Sequence, residues 1–86
     1  MQQEKRNEIA ESTLKKIQEA YDHAIQKHPV FDAGKGVFQG VSVLVEEVGE
    51  VAMALNDGNL AHAVAELYQV IAVCLRFVYY LDRSRN

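Results

Sequence analysis

The chain is poor in several features that would otherwise place it in a class. One cysteine cannot form an internal disulfide, and one proline, no tryptophan and five glycines in 86 residues exclude disulfide-framed, collagen-like and linker-dominated chains. Nine Lys and Arg against twelve Asp and Glu give a formal net charge of -3, with no basic block to neutralise a run of phosphates. A nucleic-acid polymer is therefore not an expected partner. The most apolar stretch, Val70 to Leu81, is broken by Arg76 and falls short of the roughly 20 apolar residues that cross a bilayer, so no membrane partner is expected either. Met1 to Glu11 lacks the apolar core of a signal peptide, and Cys74 lies in apolar sequence, which together fit a reducing, cytoplasmic compartment.

What is present is 49% apolar and 24% charged, the balance of one compact domain over residues 1–86. At this length an isolated core is marginal, so a metal, tight helix packing or further copies of the chain must supply stability. From Gln3 to about Lys27, Ala10, Leu14, Ile17, Tyr21 and Ala24 recur at spacings of four and three, and Pro29 ends that first amphipathic helix. Pro29 to Gly40 reads as a glycine-rich loop. A second helix starts between Gln39 and Ser42 and runs to Leu55, with Phe38, Val41, Val45, Val48, Ala52 and Leu55 as its packing stripe. Gly58 and Asn59 then supply a positive-φ turn residue and a helix cap.

The third helix, Leu60 to about Asp82, is expected to bury Leu60, Val64, Leu67, Ile71, Cys74 and Val78 on one side, with Val70, Val73, Phe77 and Tyr80 on another. Such a helix needs protein all round it, and one short chain offers only two others. The expected fold is an all-α antiparallel bundle of three main helices per chain, completed as a homodimer or as a homotetramer made of two dimers.

Against this apolar background, Glu46, Glu47 and Glu50 sit together in the second helix, and Glu66 and Gln69 share a face of the third. Like charges three and four residues apart destabilise a helix unless a cation lies between them. Antiparallel packing sets the Glu47/Glu50 pair opposite the Glu66/Gln69 pair. Oxygen ligands from two helices, without cysteine or convergent histidine, suit Mg²⁺ or Mn²⁺ rather than zinc or copper. A carboxylate-bridged di-iron bundle requires Glu-x-x-His on one face, which is missing here. Gly49, between the acids, costs about 1 kcal/mol relative to Ala in a helix interior and points to close approach by a ligand or by another backbone.

The run Glu46-Glu47-Val48-Gly49-Glu50, followed by Glu66-Leu67-Tyr68-Gln69 and an apolar helix, resembles the MazG-like members of the all-α nucleoside triphosphate pyrophosphohydrolase superfamily over Phe38 to Asp82. In that family a Glu-x-x-Glu pair and a Glu-x-x-Asp pair on the next helix bind Mg²⁺. Glu47, Glu50 and Glu66 match, Glu46 is an additional acid, and Gln69 replaces the Asp. The resemblance implies hydrolysis of a nucleoside triphosphate to a monophosphate and pyrophosphate. It assigns Glu47, Glu50 and Glu66 as metal ligands, and Gln69 as a neutral ligand or a holder of metal-bound water. Glu46 is then a further ligand or the base that takes the proton of the attacking water, with Glu47 also in the catalytic set. The alternative is a degenerate, non-catalytic helical module that binds nucleotide or a protein partner.

By the same resemblance, Lys35, Phe38 and Gln39 lie near the nucleotide, Lys35 toward phosphate and Phe38 or Gln39 toward the base, the other reading being a solubilising lysine and a core aromatic. Arg76 either grips a triphosphate bidentately or pairs with an acid of another subunit. Tyr80 stacks on a base or packs between helices. His62 reads as a partly exposed first-turn residue, and Cys74 as core.

Overall fold

The computed structural model describes residues 8–29 and 36–84, with side chains described for 8–29 and 40–83. The described residues form an all-α helical bundle of three helices and no strand: α1 (Glu11–Lys27), α2 (Gly36–Asn56) and α3 (Leu60–Ser84). The first helix begins later than its periodicity implies. Ala10 is extended, at φ -60° and ψ 145°, and residues 8–10 are not helical. Gln3 to Asn7 lie outside the described residues. The second helix begins earlier than expected, at Gly36, and carries Gly40 as a buried residue. Glycine is unfavourable in a helix interior.

The α2–α3 connection follows directly from its residues. Gly58 takes φ 71°, a conformation that costs any residue with a Cβ roughly 1–2 kcal/mol. Gly58 N–H donates to Leu55 O at 3.1 Å and Asn59 N–H to Ala54 O at 2.9 Å, closing the last turn of α2 in a Schellman arrangement. Asn59 Oδ1 then accepts from His62 N–H at 3.1 Å and caps α3. Asn59→Ala is expected to lower stability by about 1 kcal/mol, read as a fall in the urea midpoint with unchanged slope.

The third helix packs against both α1 and α2, which make no close backbone contact with each other among the described residues. Small side chains occupy the contacts. Ala20 and Ala24 of α1 meet Ala72 of α3, flanked by Tyr21 and Tyr68. Val51 and Ala54 of α2, and Ala63 and Val73 of α3, are also buried. Arg76 is buried and its Nη1 donates to Ala24 O at 3.2 Å, fastening the end of α1 to the middle of α3.

The large apolar side chains face the other way. Of the stripe expected to pack in α2, Val41, Val45, Val48, Ala52 and Leu55 are exposed, Val45 at 65%. Of the side of α3 expected to be buried, Leu60, Val64, Leu67, Ile71, Cys74 and Val78 are exposed, Leu60 at 66%. The buried side of α3 carries Ala63, Glu66, Val70, Val73, Arg76 and Phe77. Periodicity identified the apolar faces, and the chain turns the bulkier ones outward. By length and composition α3 is also long and apolar enough to cross a membrane over Leu60–Arg83, with 11% of its most apolar window buried. A count beginning at Val70 omits the apolar turns from Leu60 onward.

Candidate functional site

Helical spacing decides which acids meet. Glu47 and Glu50 lie on the side of α2 that carries Val51 and Ala54 against α3, and Glu66 lies on the matching side of α3 beside Ala63 and Val73. All three are half-buried, and one oxygen from each falls within 4.8 Å of the others. Glu47 Oε2 and Glu66 Oε2 are buried without a hydrogen-bond partner. Unpartnered carboxylate oxygens away from water are costly, and Glu47 and Glu66 each bring one to this three-acid cluster.

Two basic side chains act on these acids among the described residues. His62 Nε2 is 3.8 Å from Glu66 Oε1, with the imidazole more than half exposed. Lys27, in the last turn of α1, acts on Glu50 across space. Neither is an expected metal ligand, and nothing in the local sequence points to Lys27. A basic residue in the last turn of a helix was visible there, but not that α1 would end near the acids.

The Glu50 carboxyl is raised above its ordinary value of 4.5, first by a side-chain hydrogen bond to Glu66, then by the negative charge of Glu66 and by burial, with Lys27 and His62 opposing. The folded chain therefore holds a proton that the unfolded chain releases. This contribution to stability is complete below pH 4.5 and is lost as pH rises through the folded-state value of Glu50. In EDTA, the denaturation midpoint is expected to fall over that range more steeply for the wild type than for Glu50→Gln, whose amide is a neutral stand-in for the protonated acid.

The remaining candidates divide. Glu46 is exposed, one turn before Glu50 on the same flank of α2 and outside the three-acid cluster. Gln69 is half-buried, three residues beyond Glu66. Arg76 commits one nitrogen to the Ala24 carbonyl rather than standing free at the surface. Tyr80 is half-buried, while Tyr79 is exposed with the Arg83 guanidinium 4.9 Å above its ring. Lys35 lies outside the described residues, as do the side chains of Phe38 and Gln39 on the first turn of α2. Gly49 is exposed, and a Cβ there would meet nothing within 4 Å. Among the described residues no other backbone approaches it closely, and nothing in the structure explains that glycine.

The chain matches no family model, no curated protein and no solved structure. Its site is read from its own chemistry. An all-oxygen donor set from two helices, with two buried oxygens lacking partners, fits a hard divalent cation such as Mg²⁺ or Mn²⁺.

Proposed function

We propose that the protein is a MazG-like nucleoside triphosphate pyrophosphohydrolase that uses Mg²⁺, or Mn²⁺ in its place, and converts NTP or dNTP to the monophosphate and pyrophosphate. The observation that carries this reading is the meeting of Glu47, Glu50 and Glu66 across α2 and α3, with two carboxylate oxygens buried and unpartnered. The Glu-x-x-Glu and Glu-x-x-Gln runs on consecutive helices support it, as does the short turn through Gly58 that joins α2 to α3.

A divalent cation held there would supply charge stabilisation for phosphoryl transfer and activation of water. The chain's own residues do the rest. Glu47, Glu50 and Glu66 would hold the cation, and Gln69 would add a neutral oxygen or orient a water. Glu46, exposed and one turn from Glu50, takes the proton of the attacking water. Lys27 lies within electrostatic reach of Glu50 and attracts the polyphosphate to this end of the bundle. Lys35, Phe38, Gln39 and Tyr80 are proposed to contact the nucleotide. The work belongs to nucleotide-pool housecleaning in the cytoplasm.

A second reading, a nucleotide-binding or protein-binding module without catalysis, is favoured by Gln69, which removes one negative charge from the set. A panel of ribo- and deoxyribonucleoside triphosphates with Mg²⁺, scored for monophosphate and pyrophosphate, separates the two. Release of pyrophosphate from at least one member supports the hydrolase. Silence by the wild type, with activity appearing in Gln69→Asp, supports the degenerate module. Diphosphate and inorganic phosphate as products would contradict the proposed bond cleavage.

A further inference from the structure

One nitrogen donor stands at the edge of the acid cluster and has no part in the proposed chemistry. His62 lies one turn before Glu66 on α3, and its Nε2 is 3.8 Å from Glu66 Oε1. Positions i and i+4 share a helical face, and at that spacing one helix can present two side chains to a single metal ion. His62 also acts electrostatically on Glu50 of α2, so its ring lies within range of acids on both helices. The other oxygen of Glu66, Oε2, is buried without a partner, and Glu47 brings a second such oxygen. A cation that meets their demand sits within reach of the ring.

Coordination distances agree with this placement. Bonds of about 2.0–2.2 Å put two ligand atoms about 3 Å apart when adjacent on one ion and about 4 Å apart when opposite. The 3.8 Å between His62 Nε2 and Glu66 Oε1 lies inside that interval. His62 falls outside the three acids whose oxygens lie within 4.8 Å of one another, so its ring must turn inward to complete the set. It has room to do so. The His62 side chain is 54% exposed, and its backbone N–H is held by Asn59 Oδ1 at 3.1 Å, which fixes the helical turn from which the ring swings.

We propose that His62 Nε2 is a fourth ligand to the cation held by Glu47, Glu50 and Glu66, and that it makes the site choose Mn²⁺ over Mg²⁺. This inference rests on the cation site of the proposed function and goes beyond it in naming the metal. Mg²⁺ takes oxygen ligands and keeps several waters, whereas manganese joins iron in helical-bundle sites that mix carboxylate with imidazole. Three carboxylates alone accept either ion. An imidazole adds donor strength for Mn²⁺ and little for Mg²⁺, so it is the group that separates them. As a plain ion pair with Glu66 the same residue would contribute little, at 3.8 Å and with an exposed side chain.

Electron spin echo spectra of Mn²⁺ on the full metal-free chain test this, together with competition between Mn²⁺ and Mg²⁺. The wild type is expected to show the nitrogen modulation of a bound imidazole, and His62→Ala is expected to lose it. The same variant is expected to weaken Mn²⁺ binding at least about tenfold while leaving Mg²⁺ affinity unchanged. A residue acting only by its charge would move both ions in the same direction by the same factor, and that result overturns the proposal. If His62→Ala does not fold, the nitrogen modulation of the wild type decides alone. Bound Mn²⁺ without that modulation overturns the role of His62 and leaves the three-acid site standing, whereas no Mn²⁺ binding at all overturns both. Nitrogen modulation in a chain that releases no pyrophosphate supports the ligand and removes only the hydrolase reading.

Discussion

Adding Mg²⁺ or Mn²⁺ to metal-free protein is expected to raise the thermal midpoint by roughly 10–20 °C at a hundredfold excess over the dissociation constant, since a ligand specific for the native state then adds about 2.7 kcal/mol. The source of that gain is the cluster itself. Oxygens of Glu47, Glu50 and Glu66 lie within 4.8 Å of one another, two oxygens are buried without partners, and among the described residues Lys27 and His62 act on Glu50 from longer range. Glu47→Gln and Glu66→Gln each remove a ligand and a negative charge, so both are expected to shrink the metal-induced rise. Neither is expected to lower the stability of the metal-free chain, because each also removes repulsion. Differential scanning fluorimetry in EDTA and in excess Mg²⁺ reads both effects at once. Protons compete for the same oxygens, so the rise is also expected to diminish as pH falls toward 4.5, the ordinary value from which Glu50 is displaced.

The second large effect separates holding the cation from moving a proton. Glu46 lies on the exposed flank of α2 and outside the three-acid cluster. Glu46→Gln is therefore expected to lower kcat for pyrophosphate release by about 10²–10⁴-fold, the range lost with a general base. The metal-induced rise in thermal midpoint should survive in the same variant. Steady-state kinetics and fluorimetry on one preparation suffice to check it. Loss of the metal response in Glu46→Gln would make Glu46 a ligand, and unchanged kcat would remove it from the chemistry.

The sequence carried the helical class, the turn at Gly58 and Asn59, and the convergence of Glu47, Glu50 and Glu66, because each depends on local spacing or on one short connection. It did not carry the start of α1. No Pro, Gly or capping side chain marks the change at Ala10, which has no side-chain cap hydrogen bond. Nor did it carry the sidedness of α2 and α3. A repeat of three and four shows that a face is apolar, but not which neighbour covers it, and α3 has two such faces. The face that Ala63 and Val73 occupy wins inside the chain because small residues let α2 and α3 approach closely while their acids meet between them. Leu60, Val64 and Leu67 are left outside. The roles of Lys27 and Arg76 were hidden for a different reason. Both depend on where the end of α1 lands on α3, a long-range placement that no local pattern encodes.

Binding of a divalent cation by Glu47, Glu50 and Glu66 can be measured directly. Titration of Mn²⁺ into metal-free protein, with free Mn²⁺ followed by electron paramagnetic resonance, does so without reference to any substrate. The wild type is expected to bind Mn²⁺ saturably, with Mg²⁺ competing, and Glu47→Gln combined with Glu66→Gln is expected to lose that binding while remaining folded by circular dichroism. Equal binding by the wild type and the double variant, or none by the wild type, would contradict it.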